Sequence, residues 1–415
     1  MKFLLESNPA FLLLKVEKNE YIFYNSLLHI GARLSNVETQ ILDLVYTYQD
    51  REYILSKFSQ HHRDLIGNAI SAIEEHQLLK CDKTLKEENI STEFPVVYYI
   101  HLTYRCNLNC LYCYNKTIRQ QLQQDLNIED WKTIIDKIIP YANRIVFTGG
   151  ECFLYSGIEE LMNYIKHKNS DITIAVISNG MHHFEKFAGT QLLRHISELT
   201  LSCDSLYSEG KRIGFNATLF RNNIEWLKKN IPNISLSLSS VHTSENSLEL
   251  KKTESYCIDN LLSYSKTILI PETASQIELM PSIKEVYDDY SNLSNKDKIQ
   301  KLDPPRFRCG AGRAVCSIAP NGDVYPCQSL HYPELMMGNL LSTDLENLKQ
   351  NLVIKGVDDI LVCSKCNVKY LCGGGCLASG YSFYKHRFDR NHLTCYLNRH
   401  NALEKLKLLD NRLNK

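Results

Sequence analysis

Two strand-like runs open the chain. "FLLLKVE" and "YIFYNS", separated by "KNE", predict a hairpin. The apolar positions then move to a helical period. "SNVETQILDLVYTY" sets Ile41, Leu44, Val45 and Tyr48 on one face, and Ser35 and Glu38 have the spacing of a capping box. "REYILSKF" and "DLIGNAISAIEEH" predict two more helices, the second repeating Ile66, Ala69, Ile70 and Ile73, and "LLKCDK" reads as a closing strand. Strands around three small helices make a winged-helix-like module over residues 1–85, followed by a polar linker at 86–94. From residue 95 to 297 strands and helices alternate. The strands are "VVYYIHL", "RIVFTG", "ITIAVIS", "ELTLSCD", "ISLSLSS" and "TILIP"; the helices are "NIEDWKTIIDKII", "GIEELMNYIKH", one near "FEKFAGTQLLRHI", "NATLFRNNIEWLKK" and one after Ser244. This alternation is that of an α/β fold, a parallel sheet wrapped by helices, with functional residues on the loops after the strands. Six units predict a partial (β/α)6 barrel. Residues 298–415 are rich in cysteine and glycine and largely irregular, apart from a hairpin at "IAPNGDVYPC".

Composition narrows the chemistry. Lys+Arg and Asp+Glu are both 47, so no overall basic field gathers nucleic acid or anionic membrane. Residues 1–88 hold ten Lys+Arg against thirteen Asp+Glu, which disfavours a DNA-binding winged helix. No apolar run of about 18 residues spans a bilayer, and the first residues lack a signal-peptide core, so the expected location is cytoplasmic. There, fifteen cysteines read as metal ligands sooner than as disulfides. Cys81, Cys152, Cys203 and Cys257 are scattered and read as packing residues. The other eleven are clustered.

Cys106, Cys110 and Cys113 have the spacing C-x-x-x-C-x-x-C directly after the first barrel strand. With Tyr112 before the last cysteine, this stretch resembles the radical S-adenosylmethionine (SAM) superfamily. The resemblance implies a [4Fe–4S] cluster held by three thiolates, its fourth iron chelated by the amino and carboxylate groups of SAM. One electron then cleaves the sulfonium to a 5′-deoxyadenosyl radical. "FTGGECF" resembles the family's glycine-rich element, so Gly149, Gly150 and Glu151 are expected at the methionine amino group; Cys152 stands where proline is usual, near the active mouth. Ser178 and Asn179 in "ISNG", and Ser202 and Asp204 in "LSCDS", resemble positions near the methionine and ribose, although ordinary strand-end turns have the same composition.

The last quarter reads C-x12-G-x4-C, then C-x2-C-x5-C-x3-C, then a cysteine after eighteen residues. It resembles the SPASM extension. That resemblance implies two auxiliary [4Fe–4S] clusters, the first on Cys309, Cys327 and Cys376, the second on Cys363, Cys366, Cys372 and Cys395. Cys316 is expected as a fourth ligand of the first. A zinc ribbon is the rival for "CSKCNVKYLCGGGC". Among SPASM proteins, the N-terminal module resembles the domains that bind a precursor's leader peptide as an added β-strand. The expected function is therefore maturation of a ribosomal precursor peptide by thioether or other side-chain crosslinking, with flavodoxin or ferredoxin as electron donor and no nucleic acid or membrane partner. The alternatives are a sulfatase-maturase-like formylglycine-generating enzyme and a non-enzymatic iron–sulfur regulator with a DNA-binding head.

Overall fold

The N-terminal strands form a meander: β1 (Phe11–Glu17), β2 (Glu20–Asn25) and β3 (Ile30–Ser35), each antiparallel to the next. In this computed structural model, residues 3–8, 10–28, 30–81, 94–119, 124–290, 309–352, 356–384 and 388–407 are described. Helices α1 (Asn36–Tyr48), α2 (Arg51–Ser56) and α3 (Gln60–Glu75) cover one face of the meander. Alternation along the strands turns Phe11, Phe23, Ala32 and Leu34 toward Ile41, Leu42, Ile66, Ile70 and Ile73 of the helices. The capping box of α1 is formed, with Glu38 N–H donating to Ser35 Oγ at 3.2 Å and Ser35 N–H to Glu38 Oε2 at 2.7 Å.

Two expectations for this region change. Strand β3, "IGARLS", has no sharp signature because its apolar face is only Ile30, Ala32 and Leu34, with Gly31, Arg33 and Ser35 on the other. "LLKCDK" is not a strand over Leu78–Cys81, where Asn25 Nδ2 instead donates to the carbonyls of Leu78 and Lys80; Asp82 and Lys83 lie outside the described residues. Among the described residues of the module all strands therefore precede the helices, and none follows as a wing. The linker read at 86–94 lies outside the described residues except for Phe94.

The central sheet uses β4 (Val97–Thr103), β6 (Arg144–Gly149), β7 (Thr173–Ser178), β8 (Glu198–Ser202), β10 (Ser235–His242) and β11 (Ser263–Ile268), all parallel in the order β11-β10-β8-β7-β6-β4. Two short strands, β5 (Asn109–Cys110) and β9 (Arg212–Ile213), pair separately. Helices Ile128–Ile138, Ile158–Lys168 and Ala217–Asn230 bury Trp131, Ile134, Leu161, Ile165, Phe220 and Leu227 against the outer face of the sheet. The helix expected near "FEKFAGTQLLRHI" is two short turns, Phe184–Phe187 and Leu192–His195. The last strand begins earlier than "TILIP": it is an edge strand, "SYSKTI", whose half-exposed alternation hid it.

The cysteine-rich segment joins this sheet. Strand β12 (Val315–Ile318) lies parallel to β4, with Cys316 opposite Tyr98, and continues through β13 (Asp323–Tyr325) to β14 (Gly338–Asn339). The "NGD" hairpin is formed between β12 and β13, with Gly322 at φ +87. The open edge of the barrel is thus extended by the next region. Among the described residues, no helix is long and apolar enough to cross a membrane.

Trp131 is fully buried between its helix and the sheet. Trp131→Ala should lower the unfolding free energy by about 3–5 kcal/mol. Denaturant titration should show a lower midpoint at unchanged slope.

Candidate functional site

Strand β4 ends at Thr103, and the chain turns at once into the loop carrying Cys106, Cys110 and Cys113, all half-buried. The loop is fastened on two sides. On one, β5 pairs with β9, Cys110 opposite Arg212, and Leu111 N–H donates to the Lys211 carbonyl at 3.0 Å. On the other, the turn after β6 zips onto it: Gly150 N–H donates to the Thr103 carbonyl and Glu151 N–H to the Arg105 carbonyl, both at 2.8 Å. Gly149 has φ +127, and a Cβ there would lie 2.4 Å from the Thr103 oxygen; at Gly150 it would lie 2.1 Å from the Arg105 oxygen. The close approach that requires these glycines lies between two protein backbones.

Glu151 turns away from the mouth. Its fully buried carboxylate accepts from Ser178 Oγ at 3.0 and 3.1 Å and from Asn179 N–H at 2.8 Å, so it crosslinks the ends of β6 and β7. Burial pushes its carboxyl up to about 7 against the pull of these donors. Cys152, expected near the mouth, is a core thiol, fully buried with Sγ directed at the Ile177 carbonyl. Cys203 and Cys257 are buried as well, whereas Cys81 is exposed.

Asn179 and Asp204 lie near the cysteine loop, as expected. Asn179 Nδ2 lies 3.6 Å from Cys106 Sγ and 2.7 Å from Asn107 Oδ1. Ser202 is the half-buried last residue of β8. Asp204 is buried, with Oδ1 accepting from Val241 N–H at 3.0 Å. Arg212 was missed by sequence reasoning: a lone arginine in an irregular loop carries no period or motif. Its buried guanidinium lies 4.0 Å from Asp204, and its charge opposes the burial that pushes the Cys110 thiol up to about 11. Tyr112 Oη, Asn115 Oδ1, Asp204 Oδ2 and Arg212 Nε are buried without a hydrogen-bond partner. Each such atom costs about 1–3 kcal/mol, so their grouping around the loop fits a polar ligand bearing a carboxylate and hydroxyls.

The remaining cysteines form two groups. Cys327 has Cys309 and Cys376 near enough to raise its thiol pKa further, beyond the effect of its packed surroundings. Cys363, Cys366, Cys372 and Cys395 line a single hollow with Lys369, Arg390 and Arg399. Burial pushes Cys363 up to about 12, and Arg390 opposes it. Cys316 is near Cys327 as well, and its buried side chain takes the same face of β12 as Ile318. Its neighbour Ser317 takes the inner face, where His331 Nε2 lies 2.8 Å from its Oγ. Among the described residues, no three His, Cys, Asp or Glu side chains converge as they would around one metal ion; a four-iron cluster instead distributes its thiolates over separate irons.

Residues 100–257 match the radical SAM superfamily, and residues 309–367 match the SPASM iron-sulfur cluster-binding domain. The chain carries a radical SAM domain and a SPASM domain. It is 23% identical over 361 residues to the antilisterial bacteriocin subtilosin biosynthesis protein AlbA of Bacillus subtilis, covering 79% of this chain and 78% of AlbA. The structure of anSMEcpe with bound AdoMet is similar at a TM-score of 0.58 and 19% identity, over 75% of this chain and 98% of that one. Streptococcus suis SuiB is similar at a TM-score of 0.55 and 17% identity, over 93% of this chain and 99% of SuiB. The radical SAM domain thus carries the cysteine triplet at the end of its first strand, and the SPASM domain extends its sheet.

Gly150→Ala should push the cysteine loop off the β6 turn, so anaerobic reconstitution should yield about four fewer irons per chain. Glu151 gives a pH signature. Its raised pKa means that the folded chain holds a proton that the unfolded carboxyl releases near about 4.3. Stability should fall as pH rises from there to about 7 and then level off. Glu151→Gln should flatten that part of the profile in denaturant titrations.

Proposed function

We propose that this chain is a radical SAM peptide maturase, acting in the cytoplasm on a ribosomal precursor peptide and forming a thioether or another side-chain crosslink. The observation that carries the reading is the triplet loop held at the C-terminal end of β4, with two further cysteine groups in the region that extends the same sheet. When bound, a [4Fe–4S] cluster and SAM supply one-electron cleavage of the sulfonium and with it a hydrogen-abstracting radical. Cys106, Cys110 and Cys113 would hold the cluster. Arg212 would pair with the carboxylate of SAM, Asp204 would accept from a ribose hydroxyl, and Asn179 would donate to the Cys106 thiolate. Ser178 and Glu151 would act one layer out, fixing Asn179. Cys309, Cys327 and Cys376 would hold one auxiliary cluster, and Cys363, Cys366, Cys372 and Cys395 the other. A flavodoxin- or ferredoxin-type donor would supply the electron.

The N-terminal module supports a peptide substrate. Strand β3 is an edge of its sheet, and beside it runs a groove lined by Leu34, Val37, Ile41, Leu65, Ala69 and Ala72. Val37 is 57% exposed and Leu65 66%, so the groove offers apolar surface next to unpaired strand groups. An extended leader would pair with β3 and seat alternate side chains in the groove. AlbA is named for the biosynthesis of a bacteriocin, and SuiB has been solved bound to its precursor peptide SuiA, which fits the same reading. A formylglycine-generating activity would leave this groove without a role.

Cys106→Ala, Cys110→Ala and Cys113→Ala together should abolish 5′-deoxyadenosine release under reducing conditions, and persistent release would overturn the radical SAM assignment of this loop. Leu65→Glu should weaken precursor binding at least about tenfold, the cost of one buried charge or more, while peptide-free SAM cleavage stays as in the wild type. Fluorescence polarisation with the labelled precursor reads the first effect, and wild-type affinity would contradict the groove assignment.

A further inference from the structure

The N-terminal sheet is buried on both faces. Phe11 and Phe23 turn to the helices of their own module, but Leu12 and Tyr24, a cross-strand pair, turn the other way. These two are 5% and 1% exposed and pack with Val368, Leu371, Ala402 and Leu406 of the C-terminal region. Val368 and Leu371 lie in the short segment between Cys366 and Cys372, and both of those cysteines are partly buried against the same cluster. Ala402 and Leu406 lie on helix His392–Lys407, which also carries Cys395. Three of the four thiols around the second hollow therefore belong to segments that share a buried cluster with the N-terminal sheet, and Val368 is part of that cluster and lines the hollow as well.

The Cys366–Cys372 segment has little regular structure of its own. It is a turn followed by the four-residue helix Lys369–Cys372, which ends at Gly373 with φ +69. A helix that short does not hold itself together in water, so the positions of Cys366 and Cys372 depend on what they pack against. We propose that the N-terminal sheet is a positioning element of the second auxiliary cluster, with Leu12 and Tyr24 as the seat that holds the Cys366–Cys372 segment and the Cys395 helix at ligating distance. This rests on the reading of Cys363, Cys366, Cys372 and Cys395 as cluster ligands. The module that offers the peptide groove is then also a structural part of an electron-transfer site, and the two cannot be separated without loss of the latter.

The test uses full-length protein reconstituted anaerobically, with iron content, paramagnetic resonance spectra and the midpoint potential of the second cluster as readouts. Leu12→Ala and Val368→Ala, which thin the same contact from opposite sides, should each shift or remove the second cluster's signal. The signal of the triplet cluster and its response to SAM should persist, and Leu12→Met should restore the second signal. Leu42→Ala loosens the helical core of the N-terminal module without touching the seat or the groove and should leave the spectrum unchanged. Wild-type spectra in both Leu12→Ala and Val368→Ala would overturn the proposal, as would the same loss in Leu42→Ala, which would make the effect one of general destabilisation. Cys372→Ala separates the premise from the inference. If it keeps all its iron, the cluster reading falls and the proposal with it. If it loses about four irons while Leu12→Ala and Val368→Ala both match the wild type, only the seat is wrong.

Discussion

The approach of the Gly149–Gly150 turn to the backbone of Thr103–Arg105 governs the geometry of this protein. The amide of Gly150 reaches the Thr103 carbonyl at 2.8 Å, leaving no room for a side chain. That contact ties the end of β6 to the start of the cysteine loop, and Glu151 carries the tie on to β7 through Ser178 and Asn179. Asn179 closes the circuit at Cys106. Three strand ends and the triplet loop are thus one hydrogen-bonded unit. A reactive site that must hold its groups within fractions of an ångström needs such support from its surroundings.

The sheet plays a similar part on a larger scale. Because β12 pairs with β4, the strand that presents the triplet also anchors the hairpin leading to Cys327. Tyr104 Oη, just before Cys106, lies 2.7 Å from His331 Nδ1, while His331 Nε2 lies 2.8 Å from Ser317 Oγ on β12. The cysteine groups of the two domains are therefore referred to one rigid frame. The second auxiliary group is braced from the N-terminal side through Leu12 and Tyr24.

Much of this was legible in the chain. Strong helical periods such as Trp131, Ile134, Ile135 and Ile138 survive as buried faces because the packing and the local preference agree. The cysteine spacing pointed to the triplet and to the two C-terminal groups, since few other constraints demand thiols at those intervals. What stayed hidden depends on contacts distant in sequence. The role of Gly150 follows from a turn meeting a loop far earlier in the chain, and that of Glu151 from a strand end far later. Arg212 reaches Cys110 only through a two-residue strand pair, and β11 is an edge strand with too little buried surface to show a pattern. The orientation of Cys316 was hidden too, because spacing alone does not say which face of β12 a thiol takes.

The central claim is that a cluster on Cys106, Cys110 and Cys113 binds SAM through the latter's amino and carboxylate groups. Electron–nuclear double resonance on the reduced protein, with SAM labelled in turn at the amino nitrogen and the carboxylate oxygens, tests it directly. Hyperfine coupling of both labels to a paramagnetic cluster, lost in Cys110→Ala and kept in Cys372→Ala, is the predicted result. A reduced cluster spectrum with no coupling from either label would contradict the account.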